Sequence, residues 1–298
     1  MNWALAHRIA SIAAVQAHRD LGTDRTRYVH VHRALGAADV IGMAQPMPRL
    51  FGVYYSPADA GPAVLLNASL NAVTQRHTAA HELGHHRLGH RTAADQELDP
   101  ALRWGNGSWP EEEKTAEAFA AWFLMPLPAV RSALERICGG QPSHPEHAYR
   151  LARELGTSYA GTVRHLVNLR LLDAGRAGQW AKIPPGDLRS ALAGGASLPA
   201  HAQVHVITAR SEGQTVYADA GDVLVLHLDN AVFDVLPKGL EPWTSDGATP
   251  LASAVVTDEL PPGERGLIEI AVPGHGTAVR LEVAGEAPRA GLDETWPA

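Results

Sequence analysis

The stretch Thr78-Ala-Ala-His81-Glu82-Leu-Gly-His85-His86-Arg-Leu-Gly-His90 decides how this chain is read. It contains H-E-x-x-H, in which the two histidines stand four residues apart. On a helix that spacing puts His81 and His85 on one face, where both imidazoles can reach a single metal ion. Glu82 follows the first of them, placed to accept a proton from an attacking water. The surrounding segment, from about Ala72 to Gly89, has no proline and carries apolar Val73, Ala79, Ala80, Leu83 and Leu88. It therefore predicts a helix buried on one side, as the metal reading requires, rather than a solvated histidine-rich helix.

Two histidines leave such a site one protein ligand short. The pattern H-E-x-x-H-x-x-G-x-x-H would supply a third histidine, but its register fails here. Leu88 and Arg91 occupy the glycine and final positions, so His90 reads as a solvated residue or a neighbour of the ligands. The other source is the segment Glu111 to Pro126, a second predicted helix opening on an acidic cluster. Glu111 and Glu112 read as a solvated helix start favoured by the dipole. Glu113 shares a face with the small residues Ala116 and Ala120, which permit close packing on the motif helix. Spacing alone does not separate Glu113 from Glu117.

Gln75-Arg-His-Thr-Ala-Ala-His-Glu-Leu-Gly-His-His, followed by E-x-x-A-x-x-F-A-A-x-x-L-M-P over Glu113 to Pro126, resembles the ImmA/IrrE family of metallopeptidases. The resemblance spans roughly the first 175 residues and includes Phe51-Gly52-Val-Tyr-Tyr. It implies a zincin-like peptidase core and a bound zinc ion, with His81, His85 and Glu113 as ligands and Glu82 as general base. The family usually has asparagine where this chain has Glu117, which keeps Glu117 in view as a ligand or as a partner of one. The N-E-x-x-S/A-D signature of thermolysin-like enzymes is absent.

Composition narrows the remaining classes. A net charge of −7 and a pI near 6.1 argue against a protein that coats nucleic acid or an anionic membrane. One cysteine, Cys138, permits no intrachain disulfide and suits a reducing compartment. No window reaches the roughly 18 apolar residues of a spanning helix, so a soluble, cytoplasmic protein is expected.

The predicted fold class is α+β. The chain opens with helices over about Trp3–Arg19, through Ala4, Ile9, Ile12, Ala13 and Val15, and over Arg27–Leu35. Short strands follow near Val40–Met43, Leu50–Tyr55 and Ala63–Leu66, forming a small sheet ahead of the motif helix. A loop is expected from Asp95 to Pro110. Residues 1–140 read as the peptidase domain and 141–183 as a helical section. Residues 184–200 read as a linker rich in Gly, Pro, Ala and Ser, and 201–298 as an all-β domain, sandwich or barrel, with seven short β-branched runs.

Within the helical section, His147 to Leu172 has the outline of a helix-turn-helix, and Arg164, His165, Asn168 and Arg170 are the residues that would face a DNA groove. The acidic balance and the lack of a dense basic face favour instead a structural helical hairpin. The expected function is cytoplasmic zinc-dependent endoproteolysis. One of the strands Leu50–Tyr55 or Ala63–Leu66 would hold the substrate as an exposed edge, and Tyr54 or Tyr55 reads as a core aromatic or an oxyanion donor. The resemblance implies a helix-turn-helix repressor as substrate, whose cleavage switches on mobile-element or stress-response genes. The alternative is a DNA- or protein-binding regulator with a structural zinc site.

Overall fold

The structure, a computed structural model, describes residues 1–96, 109–244, 251–261, 263–274, 276–286 and 288–292. The described chain is mixed α+β and divides into two units, one within 1–130 and 288–292 and the other within 131–286. None of its helices is long and apolar enough to cross a membrane.

The first unit opens with α1 (Trp3–Asp20), capped by the Asn2 side chain, and α2 (Val31–Ala37). The strands are β1 (Ile41–Gln45), β2 (Leu50–Tyr55), β3 (Ala63–Asn67) and β4 (Ala93–Gln96). The motif helix α3 (Ala72–Leu88) lies between β3 and β4 in sequence, and α4 (Glu111–Leu124) follows. The packing of α1 departs from the sequence expectation. Ala6, Ala10, Ala14 and Ala17 are buried, whereas Ile9, Ile12 and Val15 are exposed, Ile12 to 70%. An alanine stripe lets α1 lie close against α4, a contact that larger side chains would hold apart.

Five strands form the sheet, in the order β13-β1-β3-β2-β4. β13 (Gly291–Leu292) comes from the far end of the chain. The Gln75 side chain guides it there, donating to the Arg289 carbonyl at 3.0 Å and accepting from the Arg289 N–H at 2.7 Å. An amide side chain thus imitates a strand partner, a signal that period-2 patterning does not contain. Neither β2 nor β3 is an edge, which corrects the expectation for substrate pairing. β4 covers β2 as the outermost described strand on that side. Its sequence, Ala-Ala-Asp-Gln, has none of the β-branched character that marks a strand. The rest of the expected Asp95–Pro110 loop, 97–108, lies outside the described residues.

The chain crosses to the second unit along α5 (Leu127–Cys138). α6 (Pro145–Leu155) and α7 (Tyr159–Asn168) follow, joined by a turn in which Gly156 takes φ +63° and Ser158 caps α7. Arg164, Asn168 and Arg170 are exposed, but His165 is buried and is corrected from a groove-facing residue to a core one. After α8 (Ala174–Trp180), residues of the expected linker form α9 (Pro185–Leu192), with Pro185 in its first turn and Leu188 and Leu192 buried. Proline suits a helix start because its missing N–H has no intrahelical partner there.

Two four-stranded sheets then share one core. One runs β5 (Val204–Ile207), β7 (Val223–Leu226), β10 (Ser253–Val256), β9 (Leu240–Trp243). The other runs β6 (Thr215–Ala218), β12 (Gly276–Gly285), β11 (Arg265–Val272), β8 (Val232–Val235). Seven of these eight strands fall on the expected runs. The eighth, β9, holds Pro242 opposite Ala254, which an edge strand tolerates because proline's missing donor can face away from the sheet.

Candidate metal centre

The Asn71 side chain starts α3 by accepting from the Thr74 N–H, and Gly89 ends it in the left-handed conformation at φ +70°. Between these caps Ala79, Ala80, His81, Glu82, Leu83 and His85 are buried. α4 lies across α3 at Gly84. A methyl group on Gly84 would stand 3.2 Å from the Ala116 backbone and 3.1 Å from the Phe119 ring. This close crossing brings the start of α4 over the histidines.

Three side chains converge there. His81 Nε2 lies 3.0 Å from His85 Nε2 and 3.1 Å from Glu113 Oε2, and His85 Nε2 lies 3.6 Å from Glu113 Oε1. Four ligands set tetrahedrally at about 2.0–2.1 Å from an ion stand about 3.3 Å apart, so these separations fit three corners of such a site. Among the described residues this is the group of histidine and carboxylate side chains placed to hold a metal ion. Burial works to raise the Glu113 carboxyl, but the hydrogen bonds and charge of His81 and His85 hold it far below the ordinary range.

The outer nitrogens of both histidines are also engaged. His81 Nδ1 lies 3.5 Å from Glu117 Oε2, and the same oxygen lies 2.9 Å from His77 Nε2. His85 Nδ1 meets His90 Nδ1 at 3.0 Å. Burial, with the charge of His85, depresses the His90 pKa to about 4, so His90 is neutral at pH 7. His90 Nε2 faces Thr115 Oγ1 at 3.5 Å, which suits a donor at Nε2 and an acceptor at Nδ1. With that tautomer of His90, His85 carries its proton on Nδ1 and turns its Nε2 lone pair inward. Glu113 and Glu117, which spacing could not tell apart, take different places. Glu113 meets the inward nitrogens of both histidines, and Glu117 backs His81 from outside.

Glu82 is completely buried, its carboxylate against Gly52 of β2. Tyr54 is also buried. Its hydroxyl shares a hydrogen bond with His86 Nδ1 at 3.1 Å, and its ring stacks on His85 with centroids 6.2 Å apart. Tyr54 is thus the core aromatic among the two tyrosines weighed as oxyanion donors. Glu111 pairs with the amino terminus of Met1, away from the histidines. Sequence reasoning left His77 out, and its one signal was the four-residue step to His81 along the same helix face.

Residues 49–166 match the family model Peptidase_M78, the IrrE N-terminal-like domain. The match takes in β2, α3 and α4, and hence every side chain of the metal-binding group. No curated protein matches the chain.

Proposed function

We propose, from the premise that this chain carries a metallopeptidase domain of the M78 family, that it is a cytosolic zinc endopeptidase that cuts a helix-turn-helix repressor. The observation that carries the reading is the convergence of His81, His85 and Glu113, with Glu82 one residue along the same helix. Two imidazoles and one carboxylate are the donor set of a catalytic zinc site, which keeps a fourth position for water or substrate. Zinc, when bound, polarises the scissile carbonyl and lowers the pKa of water to about 7.

The chain's own residues do the rest. His90 fixes the tautomer of His85, and Glu117 stands beside His81 and His77. Glu82 accepts the proton of the attacking water and passes it to the leaving amine, the role of a positioned general base. The outer edge of β4 offers backbone groups with which an extended substrate can pair. A single cysteine and the lack of a disulfide framework support a cytosolic setting.

The substrate assignment rests on the resemblance of the two motifs to repressor-cleaving metallopeptidases. One cut between the DNA-binding and dimerisation parts of a repressor would abolish binding at paired half-sites. The test mixes the full chain and zinc with candidate repressors and unrelated proteins, with products mapped by mass spectrometry. One discrete cut in one repressor, lost in Glu82→Gln, is expected. Broad digestion of casein would replace the reading with a general peptidase. Tight binding of a repressor or of DNA without any cut would replace it with the regulator that keeps a structural zinc.

A further inference from the structure

The second unit contains a small, solvent-open cleft lined by residues of both sheets and of the helices beside them. β5 is the outer strand of one sheet and β6 of the other, and α6 packs against both. Val206, Val216 and Tyr217 are among the cleft's apolar lining residues. The rim is cationic, because Arg136, Arg150, Arg153 and Arg210 all line it and Glu154 is the one carboxylate that does.

Glu154 does not neutralise this group. It is joined to Arg136, with a 3.1 Å contact from Arg136 Nε among others. Each remaining arginine side chain gives a described hydrogen bond only to a backbone carbonyl. Arg150 Nη1 reaches Ile137 at 3.4 Å, Arg210 Nη1 reaches Glu135 at 3.0 Å, and Arg153 donates to Thr157. The Nε of Arg153 is buried with no acceptor among the described residues. Burial also lowers the Arg150 pKa, although Glu154 and Cys138 act against it, so this guanidinium carries its charge where water is scarce. Arg150, Arg153 and Arg210 thus bring three planar cations to the lining of one cleft that holds a single carboxylate.

The geometry points to a binding site for a small organic phosphate, its phosphate on Arg150, Arg153 and Arg210 and its organic part on Val206, Val216 and Tyr217. Guanidinium forks bind phosphate oxygens in pairs, and a dianion balances more of the cluster than one carboxylate would. The apolar lining residues select a phosphate with a carbon body over inorganic phosphate. Every lining residue of the cleft belongs to the second unit, and none belongs to the metal-binding group.

The test is calorimetric titration of the full chain with AMP, glucose 6-phosphate and inorganic phosphate, against adenosine and glucose at matched ionic strength. At least one phosphate ester should bind with a Kd below about 1 mM, and its dephosphorylated form should not. Arg150→Gln and Arg153→Gln should each weaken binding by about tenfold or more, as loss of a charge-assisted pair implies. Arg210→Gln, at an exposed position, supplies the same comparison if the inner variants unfold. Exposed Arg131, which does not line the cleft, serves as the control through Arg131→Gln. Failure of every ester to bind, or binding undiminished in the arginine variants, would overturn the site. Equal affinity for inorganic phosphate would overturn the role given to the apolar residues.

Discussion

Gly52 and Glu82 meet so closely that a methyl group on Gly52 would stand 2.6 Å from Glu82 Oε1 and equally near Thr78 Cγ2. The pairing of β2 with β4 shifts register between Leu50 and Gly52, next to the glycine. Backbone therefore lies directly on the carboxylate, and the absence of a side chain at residue 52 sets where Glu82 rests.

Gly52→Ala is accordingly expected to fold and to keep its metal while displacing the Glu82 carboxylate. Misplacement of a reacting group by about 1 Å can cost on the order of 100-fold in rate. We expect kcat to fall by at least about tenfold, with one metal per chain retained in elemental analysis. Wild-type turnover in this variant would mean that the contact does not position Glu82.

Glu113 and Glu117 separate under substitution. Glu113→Gln removes a charged ligand and should abolish stoichiometric metal binding. Glu117→Gln keeps the amide oxygen near His77 and His81 but loses the negative charge, and loss of such an outer partner typically weakens metal binding about 10–100-fold. Competition against a graded series of chelators measures both. A reversed order would exchange their roles.

Much of this centre was legible because its chemistry is written in local spacing. The interval between His81 and His85 is a helix turn, and the pairing of Glu113 with the small residues Ala116 and Ala120 marks a face that packs closely. The missed parts depend on contacts distant in sequence. His90 lies outside the helix, and only the turn after Gly89 brings its ring back to His85. β13 pairs with β1 from the far end of the chain, beside a Gln75 amide that holds Arg289, and β4 forms from residues with little strand preference. On α1 the helical period was legible, but the residues that carry it, Ile9, Ile12 and Val15, are exposed, and the alanines make the contact.

Metal should also stabilise the fold, because the ligands lie on two helices and the unfolded chain has no such site. At a free metal concentration about 1,000 times Kd the gain is about 4 kcal/mol. Zinc added to chelator-stripped protein should raise the Tm by several degrees in wild type and not in Glu113→Gln. An equal rise in both would place the stabilising ion elsewhere.

Two neighbouring aspartates in the second unit make stability depend on pH in opposite senses. Burial works to raise the Asp222 carboxyl. It is outweighed by the bond from His205 Nε2 at 3.1 Å and by the N–H groups of Asp219 and Gln203, so the pKa is lowered. Asp219 is raised to about 6, first by burial and then by the charges of Asp222, Glu286 and Asp258, despite a backbone bond from Ala220. A lowered carboxylate contributes stability above its unfolded pKa, near 3.9, and loses it as pH falls through the folded value. A raised one holds its proton in the folded state after the unfolded chain has released it, so stability declines as pH climbs from about 4 to about 6. Asp219→Asn should therefore flatten that decline and gain about 1 kcal/mol at pH 7, a figure reduced for its partial exposure. Asp222→Asn should lose about 1–3 kcal/mol at pH 7, with a deficit that shrinks below pH 4. Urea unfolding of the full chain from pH 3 to 8, comparing each variant with wild type, reads both slopes. Parallel curves for wild type and Asp219→Asn between pH 4 and 6 would show that Asp219 titrates as an ordinary surface carboxylate.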